Sequence, residues 1–157
     1  MTPTHLFLDL EDTLIEPLWQ GLFTIKESGI VKARELIREF HVDSVSLFSL
    51  AIQTSHSRDM LIKTGRVQEL EDALGIKLNL IPTCDDMVHA VCRSLKLNPA
   101  NRTFSDVCDF LGKEGMFKHF VLCLKNDPHK SFILLDDSVD DSVTALQNHT
   151  TIRIIRF

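Results

Sequence analysis

Two short stretches of this chain carry carboxylates where buried strands should end. In "FLDLEDTLIE" (7–16) an apolar run reaches Asp9, and Glu11, Asp12 and Thr13 follow. In "FILLDDSVDD" (132–141) a second apolar run ends on Asp136 and Asp137, with Asp140 and Asp141 beyond. If both runs are strands of one sheet, seven carboxylates gather at one edge. Unpaired, they repel one another. A divalent cation with oxygen ligands relieves this, and Mg²⁺ takes a few carboxylates together with water and phosphate oxygens. One carboxylate can then act as nucleophile and another as acid/base. An aspartate inside an apolar run needs such a partner, because burying an uncompensated charge is costly. That singles out Asp9, Asp136 and Asp137. Asp12 and Asp140 precede helical-looking stretches and read as N-caps.

The elements that must position these groups alternate along the chain. Short apolar runs at 5–10, 43–52, 76–82, 131–137 and 151–157 read as five strands. Amphipathic stretches at 21–40, 57–75, 85–97, 104–112, 116–125 and 138–148 read as helices. Gly29 interrupts the first, Gly75 stops the second and Asp85 caps the third. This alternation predicts an α/β fold: a Rossmann-like three-layer sandwich with a five-stranded, mostly parallel sheet and right-handed crossovers. Such sheets place their sites at the carboxyl ends of the strands. Ser49, near the end of the second strand, joins the candidates, with Ser46 as its rival. The 157 residues suit one domain spanning 1–157, without repeats or linkers. The stretch 83–112 exceeds what a crossover requires and leaves room for a small helical insert beside the site.

Composition narrows the function classes. Hydrophobic residues make up 44% and charged residues 25% of the chain, as in an ordinary globular protein. A net charge of −5 and a pI near 5.8 argue against broad electrostatic binding to nucleic acid. No apolar stretch reaches the roughly 18–20 residues of a membrane span, and "MTPTHLF" lacks the pattern of a secretory leader. A cytoplasmic location is expected. Cys84, Cys92, Cys108 and Cys123 form no CxxC pair, so they read as reduced core residues rather than zinc ligands. The glycosylation patterns at Asn101 and Asn148 read as chance. His5, His56, His89, His119 and His129 do not cluster in sequence and are expected mostly on surfaces. Trp19 reads as a packing residue close to the site mouth.

Taken together, "FLDLEDTL" resembles the first motif of the haloacid dehalogenase-like (HAD) phosphohydrolases, an apolar strand followed by Asp-x-Asp-x-Thr. "FILLDDSVDD" resembles their fourth motif. Ser49 falls where that family has its Ser or Thr after strand two. Lys113 lies 23 residues before Asp136, about where the family's lysine is expected; Lys118, Lys125 and Lys130 are rivals. The resemblance spans the core strands. It implies a small, nearly capless, Mg²⁺-dependent phosphomonoester phosphatase. Asp9 would form an aspartyl-phosphate, with position 11 as acid/base. Ser49 and Lys113 would hold the phosphoryl oxygens. Asp9, the backbone carbonyl of Glu11 and Asp136 or Asp137 would hold the metal. Asp141 would support Lys113 from further out. The implied partner is a phosphorylated protein or small phosphoester, rather than nucleic acid or a membrane; the oligomeric state stays open. One departure matters: position 11 is Glu where the family's phosphatases have Asp. The alternative is therefore a catalytically weak relative that binds a phosphorylated ligand or a protein. A two-component receiver domain would need its aspartate at the end of the third strand, where "IKLNLIPT" has none. A Toprim-type site would need its acidic pair elsewhere.

Overall fold

The computed structural model describes residues 3–18, 22–124, 127–146 and 149–157. Trp19, Lys125 and Asn148 lie outside them. Five strands, β1 (Thr4–Leu8), β2 (Val42–Leu47), β3 (Ser131–Asp136), β4 (Ser142–Ala145) and β5 (Thr151–Arg156), form one sheet in the order β2-β1-β3-β5-β4. All neighbours are parallel except β4, which runs antiparallel to β5. Every residue of β1 is buried, as expected for a central strand covered on both faces.

Side chains alternate across the sheet. Phe7, Phe132 and Leu134 face α4 (Cys84–Leu95) and α5 (Phe104–Leu122), where Met87, Val91, Phe117 and Phe120 complete one core. Phe7, Phe48 and Phe117 meet edge-on, with ring centres 5.2–6.3 Å apart. Leu6, Leu8, Ile133 and Leu135 face the other way, against α1 (Glu27–Glu39) and α3 (Arg66–Leu74). α2 (Ser55–Lys63) buries no residue. This is the expected three-layer α/β sandwich. The stretch 83–112 holds α4 and the first half of α5, and both bury residues in the helical layer over the sheet.

The five strands are not the five expected. Residues 76–82 are extended along β2 but form only one bridge, Leu78 to Val45. Asn79 N donates to the Val45 carbonyl at 2.7 Å and Leu47 N to the Leu80 carbonyl at 3.0 Å, around that single bridge. Leu78 N donates to Glu71 Oε2 at 2.7 Å and Leu80 N to Ser46 Oγ at 2.9 Å. Conversely, within the expected helix at 138–148, residues Ser142–Ala145 form the edge strand β4. Val143 and Thr144 are β-branched and favour a strand. Asp141 Oδ1 accepts from Arg156 N at 2.6 Å, which fixes the pairing with β5.

Other boundaries shift for local reasons. The expected helix 57–75 breaks into α2 and α3 at Gly65 (φ 80°); Gly75 (φ 76°) ends α3 as expected. α1 begins only at Glu27, and Gly29 lies inside it without interrupting it. Thr83, not Asp85, caps α4, in a reciprocal capping box with Asp86.

Candidate active site

β1 and β3 are adjacent and parallel, so the residues that follow them lie side by side. Asp9 leaves β1 with its amide still bonded to the Leu135 carbonyl at 3.0 Å. The residue is buried, at 6% exposure. Thr13 Oγ1 donates to Asp9 Oδ2 at 3.3 Å. The chain turns back at once: the amides of Thr13, Leu14 and Ile15 all donate to the Leu10 carbonyl, and Asp12 takes a left-handed conformation (φ 63°). Asp12 is thus a turn residue, not a helix cap. Ile15 then pairs with Ile25 in a small hairpin that leads into α1.

Gly29 permits this turn to close. A Cβ there would stand 1.5 Å from the Thr13 carbonyl oxygen. The helix therefore packs its backbone directly on the loop that carries Glu11 and Thr13.

Asp136 ends β3 fully buried. Its Oδ1 accepts from both the amide and the hydroxyl of Ser138, each at 2.8 Å. Its Oδ2 lies against the Lys113 ammonium yet receives no hydrogen bond. Lys113 Nζ also donates to Asp9 Oδ1 at 2.7 Å. Among the described residues, Lys113 is the lysine that reaches both aspartates.

A glycine aims it there. Gly112 has φ 70° and ψ 173°, which kinks α5, and Lys113 opens the half that follows. That backbone region is open essentially to glycine alone, and other residues forced into it cost about 1–3 kcal/mol. Nothing lies within 4 Å of a Cβ at this position, so strain alone is at stake. Gly112→Ala is expected to destabilise the protein by about 1–3 kcal/mol, read by chemical denaturation. It should also loosen the Lys113–Asp9 pair.

The remaining expected residues line one open cleft of about 380 Å³ with Asp9: Glu11, Ser49, Lys113 and Asp137. Ser49 is buried just beyond β2, and its Oγ accepts from Ala51 N at 3.2 Å. Its rival Ser46 is not at the cleft; it is held inside the sheet by His5 and Leu80. Glu11 Oε2 accepts from Leu18 N at 3.3 Å. Asp140 and Asp141 do not join the cleft. They turn to Arg156, so Asp141 does not support Lys113.

Carboxylate oxygens of Asp9, Asp136 and Asp137 lie within 4.8 Å of one another. With Lys113 they carry a net charge of −2. A hard divalent cation suits this set on two counts, the charge and the buried Asp136 oxygen that has only the Lys113 ammonium against it.

Burial pushes the Asp9 carboxyl up to about 7; the Lys113 ammonium pulls it down, and the neighbouring Asp136 pushes it up again. The folded value lies above the unfolded one, near 4. Asp9 therefore contributes stability that is fully present below about pH 4 and is lost as pH rises through about 7. A cation competes with that proton. If Mg²⁺ binds here, the rise in Tm it produces is expected to be small at pH 5.5 and larger at pH 8; an equal rise at both would contradict binding at the buried Asp9.

No protein-family model, curated protein or solved structure is significantly similar to the chain. What the site does is therefore read from its own geometry.

Proposed function

We propose that this chain is a Mg²⁺-dependent phosphomonoester phosphatase of the HAD-like type, working through an aspartyl-phosphate on Asp9. The observation that carries the reading is the Lys113 ammonium held between Asp9 and the buried, incompletely satisfied Asp136. Asp9, Asp136 and Asp137 would hold Mg²⁺, with the Glu11 backbone carbonyl beside them. When bound, the ion would supply charge neutralisation for the transferred phosphoryl group.

The rest is done by the chain's own groups. Lys113 would pair with one phosphoryl oxygen, and the Ser49 hydroxyl would donate to another. An Asp9 oxygen attacks phosphorus. The bond to the ester oxygen breaks, and that oxygen leaves with the electron pair and takes a proton from Glu11. The Glu11 carboxylate then takes a proton from water, whose oxygen attacks phosphorus and breaks the bond to Asp9. Phosphate leaves and both carboxyl groups return to their starting states.

The cleft is open, which suits a small phosphoester or a phosphate on a protein surface. The four free cysteines suit a reducing, cytoplasmic compartment.

One observation favours the second reading, a weak relative that binds phosphorylated ligands. Glu11 is tied back to its own loop through Leu18 N, and its longer side chain must leave that contact to serve the leaving group. Hydrolysis of an aryl phosphate with and without Mg²⁺, in wild type and Glu11→Asp, separates the two. Mg²⁺-dependent turnover in wild type supports the phosphatase. Turnover appearing only in Glu11→Asp, by up to the roughly 10²–10⁴-fold worth of acid/base help, supports the binding protein. Silence in both sinks the phosphatase reading.

A further inference from the structure

A second polar cluster lies at the opposite, amino-terminal ends of the strands, and the proposed phosphatase chemistry makes no use of it. His5 on β1 is fully buried. Its Nδ1 lies 2.7 Å from Asp127 Oδ2 and its Nε2 2.7 Å from Ser46 Oγ on β2. His129 contacts the other Asp127 oxygen through Nδ1, and its Nε2 lies 2.7 Å from Asp43 Oδ1. The sequence reading scattered the histidines over the surface. The parallel pairing of β1 with β3 overturns that for these two, because it brings the segment before β3 against the start of β1.

We propose that His5, Asp127 and His129 form a binding site for a borderline divalent transition-metal ion of the Zn²⁺ class. The ion would fasten the segment before β3 to β1 and, through Ser46 and Asp43, to β2.

Four observations support it. One ligand atom from each of the three side chains lies within 4.8 Å of the others. Two imidazoles and one carboxylate are a donor set that suits Zn²⁺ better than Mg²⁺. Each imidazole already has its far nitrogen held by an oxygen, His5 by Ser46 and His129 by Asp43. Metal-binding imidazoles are oriented in this way. The charges also close: Asp127 and the adjacent Asp43 together balance a dication.

Without an ion, protons fill the gaps. Burial lowers His5; it pulls on His129 too, but the carboxylates of Asp127 and Asp43 on either side outweigh it and hold His129 above its ordinary value. Loading exchanges those protons for the ion. Bonds of about 2.0–2.1 Å at tetrahedral angles place neighbouring ligand atoms about 3.3 Å apart. The 2.7 Å His5–Asp127 pair must therefore open by roughly half an ångström. Water completes the coordination.

The order Ser46–His5–Asp127 also imitates a hydrolytic relay. Ser46 is fully buried, however, and its oxygen already accepts from Leu80 N, so no acyl group can reach it.

The test uses the full chain carrying Asp9→Asn, which weakens the cleft as a competing site while Asp136 and Asp137 remain. After chelation and dialysis, Zn²⁺ alone is added and binding is read by elemental analysis, titration and Tm. The expected result is one tightly held Zn²⁺ per chain and a Tm that rises with Zn²⁺ concentration. His129→Gln should abolish both effects. Asp43 is largely exposed and Asp43→Asn should fold normally, so it serves if His129→Gln does not fold; it should weaken Zn²⁺ binding about 10–100-fold. No retained Zn²⁺, or Zn²⁺ binding that neither substitution changes, overturns the proposal and leaves a hydrogen-bond network only.

Discussion

Asp9→Asn is expected to bring Mg²⁺-dependent hydrolysis of an aryl phosphate to background, a loss on the order of 10⁴–10⁶-fold, as when other enzymes lose their nucleophile. The same substitution should leave the metal-free protein at least as stable at pH 8. Burial and Asp136 oppose the charge on Asp9, and the Lys113 ammonium offsets them only in part. An amide of the same size removes the charge and keeps the Thr13 contact. Lys113 retains Asp136 as its partner. Activity lost without loss of Tm is the pattern of a residue held in place for chemistry at a cost to stability. Residual turnover near the wild-type rate would remove Asp9 from the reaction. A large fall in Tm would make Asp9 a structural residue and reopen the whole reading.

Gly29→Ala is expected to be the most damaging glycine-to-alanine exchange among the described residues. Elsewhere in a helix this exchange gains about 0.8–1.0 kcal/mol. Here the added carbon meets the Thr13 carbonyl oxygen at 1.5 Å and its carbon at 2.6 Å, and both are backbone. No rotamer change can relieve the contact, so either α1 must move away or the 10–15 turn must open. Overpacking of this kind costs about 1–3 kcal/mol and occasionally more, and the clash should place this site at or above the top of that range. Because Glu11 and Thr13 ride on the turn, turnover should fall with stability. Denaturant unfolding and aryl phosphate hydrolysis on one preparation would check both. Wild-type stability would mean that the helix and turn are less rigidly joined than the packing implies.

The central strands were legible because buried parallel strands leave an uninterrupted apolar signature, and the acids at their ends stand out against it. Asp9, Asp136 and Asp137 follow directly from that contrast. Ser49 was visible only through its place after an apolar run. Lys113 could be anchored only by resemblance, since its position depends on the backbone of Gly112 rather than on any periodicity. The misread elements share one cause. At 76–82 the alternation of a strand is present, but pairing with β2 stops at one bridge, and the Leu78 and Leu80 amides go to the Glu71 and Ser46 side chains. At 138–148 pairing with β5, supported by Asp141, overrides a weak helical pattern. The histidine cluster was invisible for the same reason: His5 and His129 meet only once β1 and β3 are paired.

The segment beside β2 has a further consequence, for how copies of the chain meet. An outer strand normally offers a row of unsatisfied amides on which a neighbouring molecule can build, and such rows promote aggregation. Here that margin is occupied by a peptide whose Leu78 and Leu80 amides are already bonded to the Glu71 and Ser46 side chains. The opposite margin is β4, only four residues long. Neither border offers a template for strand-by-strand growth, and the protein is expected to remain dispersed at concentrations where a longer, open border would join one molecule to the next.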